Sequence, residues 1–151
     1  MYTPNIFKEL VLMMVHINLW GVLVAGISSM VIGTIYYADY AFGKEWKKLT
    51  KIDDKKFKTD FPKIMPFFFL AALITAYVVA YVMYLYHSFF QNSWVSAGLE
   101  TSLILWLGLS LTTLYVHSTM DQKPNQLTIL SAGNRLLSIL AMGLIVGWLH
   151  P

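Results

Sequence analysis

The sequence predicts an all-α integral membrane protein: one domain, residues 1–151, folded as an up-and-down bundle of four transmembrane helices with a short amphipathic helix at the membrane interface. Of the 151 residues, 57% are apolar and 13% are charged, whereas a soluble domain carries about 25% charged residues. Four apolar segments have the length of about 20 residues that a helix needs to cross a bilayer. Because a backbone in lipid must satisfy its own hydrogen bonds, segments joined by short connections are expected to be helices.

The positive charge is concentrated in one connection. Eight of the eleven Lys and Arg residues lie between Lys44 and Lys63, so the formal net charge of +3 describes one loop rather than a basic surface. This distribution argues against a nucleic-acid partner. Cysteine is absent, which excludes disulfides, thiolate metal sites and thiol catalysis.

The first span is predicted at residues 16–37. Thr3 followed by Pro4 is typical of a helix N-terminus, so we expect the helix to begin well before the membrane boundary. Lys8 is followed by Glu9, and no small-x-small cleavage site comes after them. We therefore expect the N-terminus to be retained rather than removed as a signal peptide.

The end of the first span has the composition of a membrane interface. Aromatic residues suited to the headgroup layer are followed by apolar residues at helical spacing, with lysines at the other positions. This pattern predicts a short helix that lies along the membrane surface; the alternative is a solvated basic loop. The predicted interface residues are Tyr36, Tyr37, Phe42, Lys44, Trp46, Lys47 and Lys48.

The remaining spans are predicted at residues 64–87, 98–117 and 127–149, with residues 38–63 as a basic connection too short for a second domain. Lys and Arg residues accumulate in that connection, and Lys123 adds one more between spans three and four. Since positively charged loops stay in the cytoplasm, we expect both termini to face outward.

Small residues recur at every fourth position in three of the spans. In a bilayer such stripes allow close helix contacts, because lipid competes evenly for the larger apolar side chains. We expect them to pack helices within one chain or between copies in a homo-oligomer. The stripes are Ala25, Ser29 and Gly33; Ala72, Ala76 and Ala80; and Gly143 and Gly147.

Polar residues form a stripe in span three, from Ser102 through Trp106 to His117, and a second stripe in span four. Two such stripes facing each other would make either a hydrogen-bonded core between helices or the wall of a path for a solute or ion, and both interpretations stay open. The residues of this path or polar core are Arg135, Asn134, Ser131, Ser138, Ser102, Ser110, Thr113 and His117.

Arg135 lies about eight residues inside the fourth predicted span, roughly 12 Å deep by helix rise. A guanidinium in that position costs about 2.5–3.5 kcal/mol on insertion scales, so something must compensate for it. Three arrangements would do so: extension toward the cytoplasmic face, an ion pair with Asp39, Asp121 or Glu100, or binding of an anionic solute or lipid headgroup.

Four potential metal ligands are expected at the outer membrane boundary: His16, His87, Glu100 and His150. Imidazole and carboxylate groups suit zinc, iron or copper. However, no pair has a local ligand spacing, and packing of histidines at the interface explains them equally. The sequence contains no phosphate-binding loop, nucleophile motif or nucleotide fingerprint, so it predicts no catalytic residue and identifies no cofactor.

Several short motifs are familiar in combination: Tyr36-Tyr37, Phe42-Gly43-Lys44-Glu45-Trp46, Trp106-Leu107-Gly108, Thr112-Thr113, Ala132-Gly133-Asn134-Arg135, and the run from Met142-Gly143 to Trp148. Through them the chain, from about Ile17 onward, resembles the bacterial membrane protein family called domain of unknown function 1761. It departs from that pattern at Tyr36, where tryptophan is usual, and at Asn134-Arg135, where a histidine or aromatic pair is usual. The resemblance implies a four-span protein of the bacterial inner membrane and brings no activity with it.

Three functional hypotheses follow. The first is a homo-oligomeric bundle that binds or conducts a small solute or ion. The second is a structural or accessory subunit of a larger membrane complex, and the third is a metal- or haem-binding membrane protein. All three place the chain in the lipid bilayer.

Overall fold

The structure, a computed structural model, describes residues 17–150, apart from the side chains of residues 54–56 and 58. The described residues are helical with no strand, which confirms the all-α prediction. The elements are α1 (Leu19–Tyr36), α2 (Gly43–Thr50), α3 (Asp54–Phe90), α4 (Trp94–Leu105), a π-helical segment (Trp106–Leu111), α5 (Thr112–Met120) and α6 (Asn125–Trp148).

Four helical stretches are long and apolar enough to cross a membrane: Leu19–Tyr36, Thr59–Phe90, Trp94–Met120 and Asn125–Trp148. They correspond to the four predicted spans. The predicted helix start at Thr3 lies outside the described residues. The predicted connection over residues 38–63 is wrong in its second part, because α3 already begins at Asp54 and continues through Pro62 and Pro66. Both proline rings are exposed, so neither collides with another helix.

The four long helices have two distinguishable ends. At one end, which we call the histidine end, Asn18 Nδ2 donates to the carbonyl of Leu149 over 2.7 Å, and Trp94 stacks against His87 and His150. At the other, which we call the basic end, lie α2 with its lysines and the turn between α5 and α6 that carries Lys123.

The backbones of α4 and α6 are in direct contact. A Cβ atom placed on Gly98 would overlap the carbonyl oxygen of Gly143, and one placed on Gly147 would lie 2.6 Å from the carbonyl oxygen of Trp94. The predicted stripe of Gly143 and Gly147 is therefore a helix contact within one chain. Next to it, Ser102 is fully buried and its Oγ donates to the carbonyl of Ile139 over 2.9 Å.

The other two small-residue stripes are used to different extents. Ala72, Ala76 and Ala80 of α3 are all buried in the core. In α1, Ala25 is buried, but Gly33 faces open space with nothing within 4 Å of a Cβ at that position. The α1 stripe thus packs only near the histidine end.

Burial divides the fold into a closed half and an open half. In the half near the histidine end, the four helices share a core whose buried residues fall within the ranges 21–26, 72–83, 97–102 and 138–147. In the half near the basic end, only Gly43, Thr128 and Ala132 are buried among the described residues. We call these the histidine half and the basic half. The helices enclose an interior in the first and separate in the second.

We predict that Gly98→Ala destabilises the fold by about 1–3 kcal/mol, because the added methyl group forces α4 and α6 apart. The matched control is Gly33→Ala, where the methyl group meets no neighbour. That change should stabilise α1 by about 0.5–1 kcal/mol through the higher helix propensity of alanine. Unfolding in mixed detergent and dodecyl sulfate micelles, followed by circular dichroism, measures both. Equal effects of the two substitutions would contradict the α4–α6 contact.

Candidate functional site at the basic end

Motifs from three spans meet on α6 at the basic end. The Tyr36 hydroxyl lies against Gly133, where a Cβ would be 2.7 Å from it. On the other side of the helix, Trp106 Nε1 donates to the carbonyl of Ala132 over 3.0 Å. Residues that are distant in sequence and that together carry the family resemblance therefore form one cluster.

The turn from α1 into α2 depends on Gly43. Its N–H donates to the carbonyl of Ala38 over 2.9 Å, and a Cβ there would overlap the carbonyl of Tyr37. Any other residue would push α2 away from the end of α1. The predicted amphipathic helix is thus confirmed as a helix, and the solvated-loop alternative is wrong for Gly43–Thr50.

A continuous chain of aromatic rings connects the end of α1, the helix α2 and the start of α3. Centroid distances between successive rings are 4.6 to 5.5 Å, which is the range of favourable aromatic pairs. These ring contacts attach α2 to the long helices and fix the orientation of α2, and with it the direction in which the lysines of α2 point. In order of contact, the rings belong to Phe42, Tyr36, Tyr37, Trp46, Phe57 and Phe61.

The lysines of α2 remain on its outer side. Lys44 and Lys48 are exposed, and Lys47 forms an ion pair of 2.9 Å with Asp39. An exposed pair of this kind contributes little to stability. Its effect is to leave the positive charge of α2 mainly on Lys44, Lys48 and Lys51, around the aromatic chain.

Arg135 projects from the face of α6 that is otherwise buried. Residues one turn away on the same face, Ala132, Ser138 and Ile139, are buried, and so is Met142 two turns away. Arg135 itself is exposed. It lies in the basic half, where few side chains are buried.

The acids considered as partners of Arg135 are engaged elsewhere. Asp39 pairs with Lys47, Asp121 pairs with Lys123 at 2.8 Å, and Glu100 accepts a hydrogen bond from Tyr86. The Lys123 ammonium holds the pKa of the exposed Asp121 carboxyl below its usual value. Among the ion pairs formed by described residues, none includes Arg135, so the proposed pairing with these three acids is not found.

Polar groups of α1 and α6 surround the base of Arg135. The Tyr37 side chain faces Ser131 and Asn134 of α6, and the positive charge of Arg135 lies within electrostatic range of its hydroxyl. Asn134 Oδ1 is buried and makes no hydrogen bond among the described residues. Of these groups, the Arg135 guanidinium and the Asn134 NH2 offer N–H donors to an anionic ligand, whereas Asn134 Oδ1 is an acceptor.

The π-helical segment changes the direction of the polar stripe in span three. A π turn holds one more residue than an α turn, so every later residue is displaced by one position around the helix. Thr113 and His117, which come after this segment, therefore do not keep the position relative to Ser102 and Trp106 that a uniform α-helix predicts. Both are exposed, because the basic half is open.

The predicted continuous path is interrupted in the histidine half. Ser102 and Ser138 are buried between helices, and Ser102 is bonded to a carbonyl of α6, as expected for a hydrogen-bonded contact. Ser110 lies within the π-helical segment and is half-buried. The polar residues of the two halves therefore differ in role: those in the histidine half pack helices, and those in the basic half face an opening.

At the histidine end, an aromatic stack takes up two of the expected metal ligands. Trp94 lies between His87 and His150, with centroid distances of 3.5 and 3.6 Å. Both imidazoles therefore pack against the indole ring of Trp94. Among the described residues, no three His, Asp or Glu side chains could hold a metal. His16 lies outside the described residues, so the four-ligand site stays a prediction.

Comparison with known proteins gives one match. The model of the family described as "Protein of unknown function (DUF1761)" matches residues 20–147. No curated protein matches the chain, and no solved structure does. The matched range contains every motif named above from Tyr36 to Gly143 and includes most of each span. The chain therefore belongs to the DUF1761 family.

Proposed function

We propose that this protein is a four-span bundle in the cytoplasmic membrane that binds an anionic group in its open basic half. Support for membrane insertion comes from the apolar side chains that the helices expose: Trp20, Phe67, Ile129 and Trp148 are each more than 70% exposed. The short turns between α3 and α4 and between α5 and α6 favour an up-and-down order.

The observation that carries the binding proposal is the environment of Arg135. It is a permanent cation on the interior face of α6, outside every ion pair of the described residues, and beside polar groups of Tyr37 and Asn134. An intramembrane charge without an acid needs an anion or access to the headgroup layer. A bidentate phosphate or carboxylate would satisfy the guanidinium, with Asn134 as a further donor.

Binding has more support than conduction. A path through one chain would have to pass the histidine half, where Ala25, Ala76, Met83 and Ala97 have no exposed surface. The ligand would therefore enter and leave at the basic end. A pore between several copies would not need this route, but the glycines of α6 that suggested a homo-oligomer are already used inside the chain.

Assembly with a second copy or with a larger complex remains a proposal with less support. The surfaces left for it are the unpacked part of α1 near Gly33 and the exposed side of the π-helical segment at Gly108, where a Cβ meets nothing within 4 Å. Neither surface carries a feature that selects a partner.

We predict that Arg135→Gln abolishes binding of a soluble anionic headgroup, glycerol 3-phosphate, to the protein in neutral detergent. At about ten times the dissociation constant, bound ligand stabilises the native state by about 1.4 kcal/mol, which raises the unfolding midpoint of the original protein. The variant should show no rise, because the guanidinium that pairs with the phosphate is gone.

The matched control is Lys123→Gln, which removes one exposed positive charge at the same end, at a residue that already pairs with Asp121. This variant should retain the full rise. A rise of equal size in Arg135→Gln, or no rise in the original protein, would contradict the proposed site.

The proposed orientation is tested by labelling, since the chain has no cysteine of its own. We predict that Lys48→Cys in α2 reacts with a membrane-impermeant maleimide only after the cells are permeabilised. Ser88→Cys, in the last turn of α3 at the opposite end, should react in intact cells. The reverse pattern would show that the basic end faces outward.

A further inference from the structure

An open groove of about 520 Å³ lies between α1 and α3 in the basic half. Met30, Val31 and Thr34 line it on α1, and Met65, Pro66 and Phe69 line it on α3. Thr34 is the only polar residue of the lining. The volume falls within the range of pockets that hold small organic ligands, and the lining favours hydrocarbon.

The groove exists because α3 leaves α1 on the way to the basic end. Near the middle of both helices, the Leu73 side chain packs against Gly26. Met65 and Phe69 lie on the same face of α3 as the buried Ala72 and Ala76, one to two turns closer to the basic end. There α1 no longer covers that face. The groove is therefore a lateral opening between two spans, and it faces the lipid.

One residue links this groove with the proposed anion site. Tyr37 follows Thr34 by one helical turn, so its ring lies just beyond the mouth of the groove. The neighbouring Tyr36 hydroxyl lies against Gly133, two residues before Arg135, so the end of α1 meets α6 next to Arg135. A ligand with an apolar chain in the groove and a charged head at the basic end would reach the guanidinium along this tyrosine.

The charges around the mouth select the sign of that head. Lys44 and Lys48 are exposed on α2, which the aromatic chain holds beside Tyr37, and Lys51 is exposed directly after it. Clustered lysines next to a membrane span attract anionic lipids from the cytoplasmic leaflet. Both Arg135 and these lysines therefore favour a negative headgroup over a zwitterionic one.

We infer that the ligand of the Arg135 site is an anionic diacyl phospholipid of the surrounding bilayer, with its phosphate at Arg135 and one acyl chain in the groove between α1 and α3. This inference rests on the proposed function, because it requires the anion site. It adds the class of ligand and a lateral route of entry from the membrane.

Val31→Phe tests the groove separately from the headgroup site. Val31 is half exposed in the groove, so a phenyl ring there occupies the volume of the acyl chain without disturbing the core. Val24→Phe is the matched control, since Val24 is exposed on the same helix and does not line the groove. Native mass spectrometry of the full chain in neutral detergent, with phosphatidylglycerol, phosphatidylcholine or glycerol 3-phosphate added, measures the bound fraction.

We expect phosphatidylglycerol to bind the original protein and Val24→Phe equally, and Val31→Phe about tenfold more weakly, because the ring displaces roughly two methylene groups from the groove. Glycerol 3-phosphate should bind all three proteins alike.

Equal binding of phosphatidylglycerol to Val31→Phe and to the original protein would overturn the groove assignment and leave the anion site standing. Phosphatidylcholine binding as tightly as phosphatidylglycerol, or a dimer in place of a lipid adduct, would overturn the lipid assignment. If the original protein does not bind glycerol 3-phosphate, the proposed function itself is refuted.

Discussion

Contact between the backbones of α4 and α6 at Gly98 and Gly143 is the constraint on which the rest of the structure depends. In a bilayer, apolar side chains gain nothing by leaving lipid for a neighbouring helix, so association relies on close packing and interhelical hydrogen bonds. The two glycines permit close packing, and Ser102 supplies an interhelical hydrogen bond by donating to the carbonyl of Ile139. Once α4 and α6 are fixed together in this way, α3 and α1 pack their small residues against the pair.

Because this contact lies near one end, the helices are held tightly there and separate at the other. The histidine half buries small and apolar residues with few polar groups. The basic half lacks such a core. It is held by the aromatic chain from Phe42 to Phe61 and by the hydrogen bond that Trp106 donates to α6. A charged residue on the interior face of α6 would be intolerable in the first half. In the second half, Arg135 is exposed.

Much of this fold follows from the sequence, and the exceptions have physical reasons. Hydrophobic length alone places the four spans, and the spacing of Gly143 and Gly147 identifies a helix contact. The π-helical segment is not predictable in this way, since Trp-Leu-Gly-Leu-Ser-Leu is as apolar as an α-helical span. A uniform α-helix would therefore place Thr113 and His117 at different positions around the helix axis. The early start of α3 is likewise not predictable from the sequence pattern. Proline usually indicates a helix boundary, but Pro62 lies inside α3 with its ring exposed.

The candidate site was only partly visible in advance. Arg135 is conspicuous as a charge inside an apolar run, but which groups approach it depends on contacts between residues about 100 positions apart, such as Tyr37 with Ser131 and Asn134. The stack of Trp94 between His87 and His150 is likewise a product of tertiary packing, and it has no signal in local spacing.

The division into a closed and an open half is tested most directly by two single-cysteine variants on one face of α6. Ser131 lies in the basic half and Ser138, two turns along the same face, is buried in the histidine half. In protein reconstituted in bilayers with both sides accessible, a charged water-soluble thiol reagent should modify Ser131→Cys rapidly and leave Ser138→Cys unmodified. Equal protection of both would mean that the basic half is packed shut, and equal modification would mean that the histidine half is not a closed core.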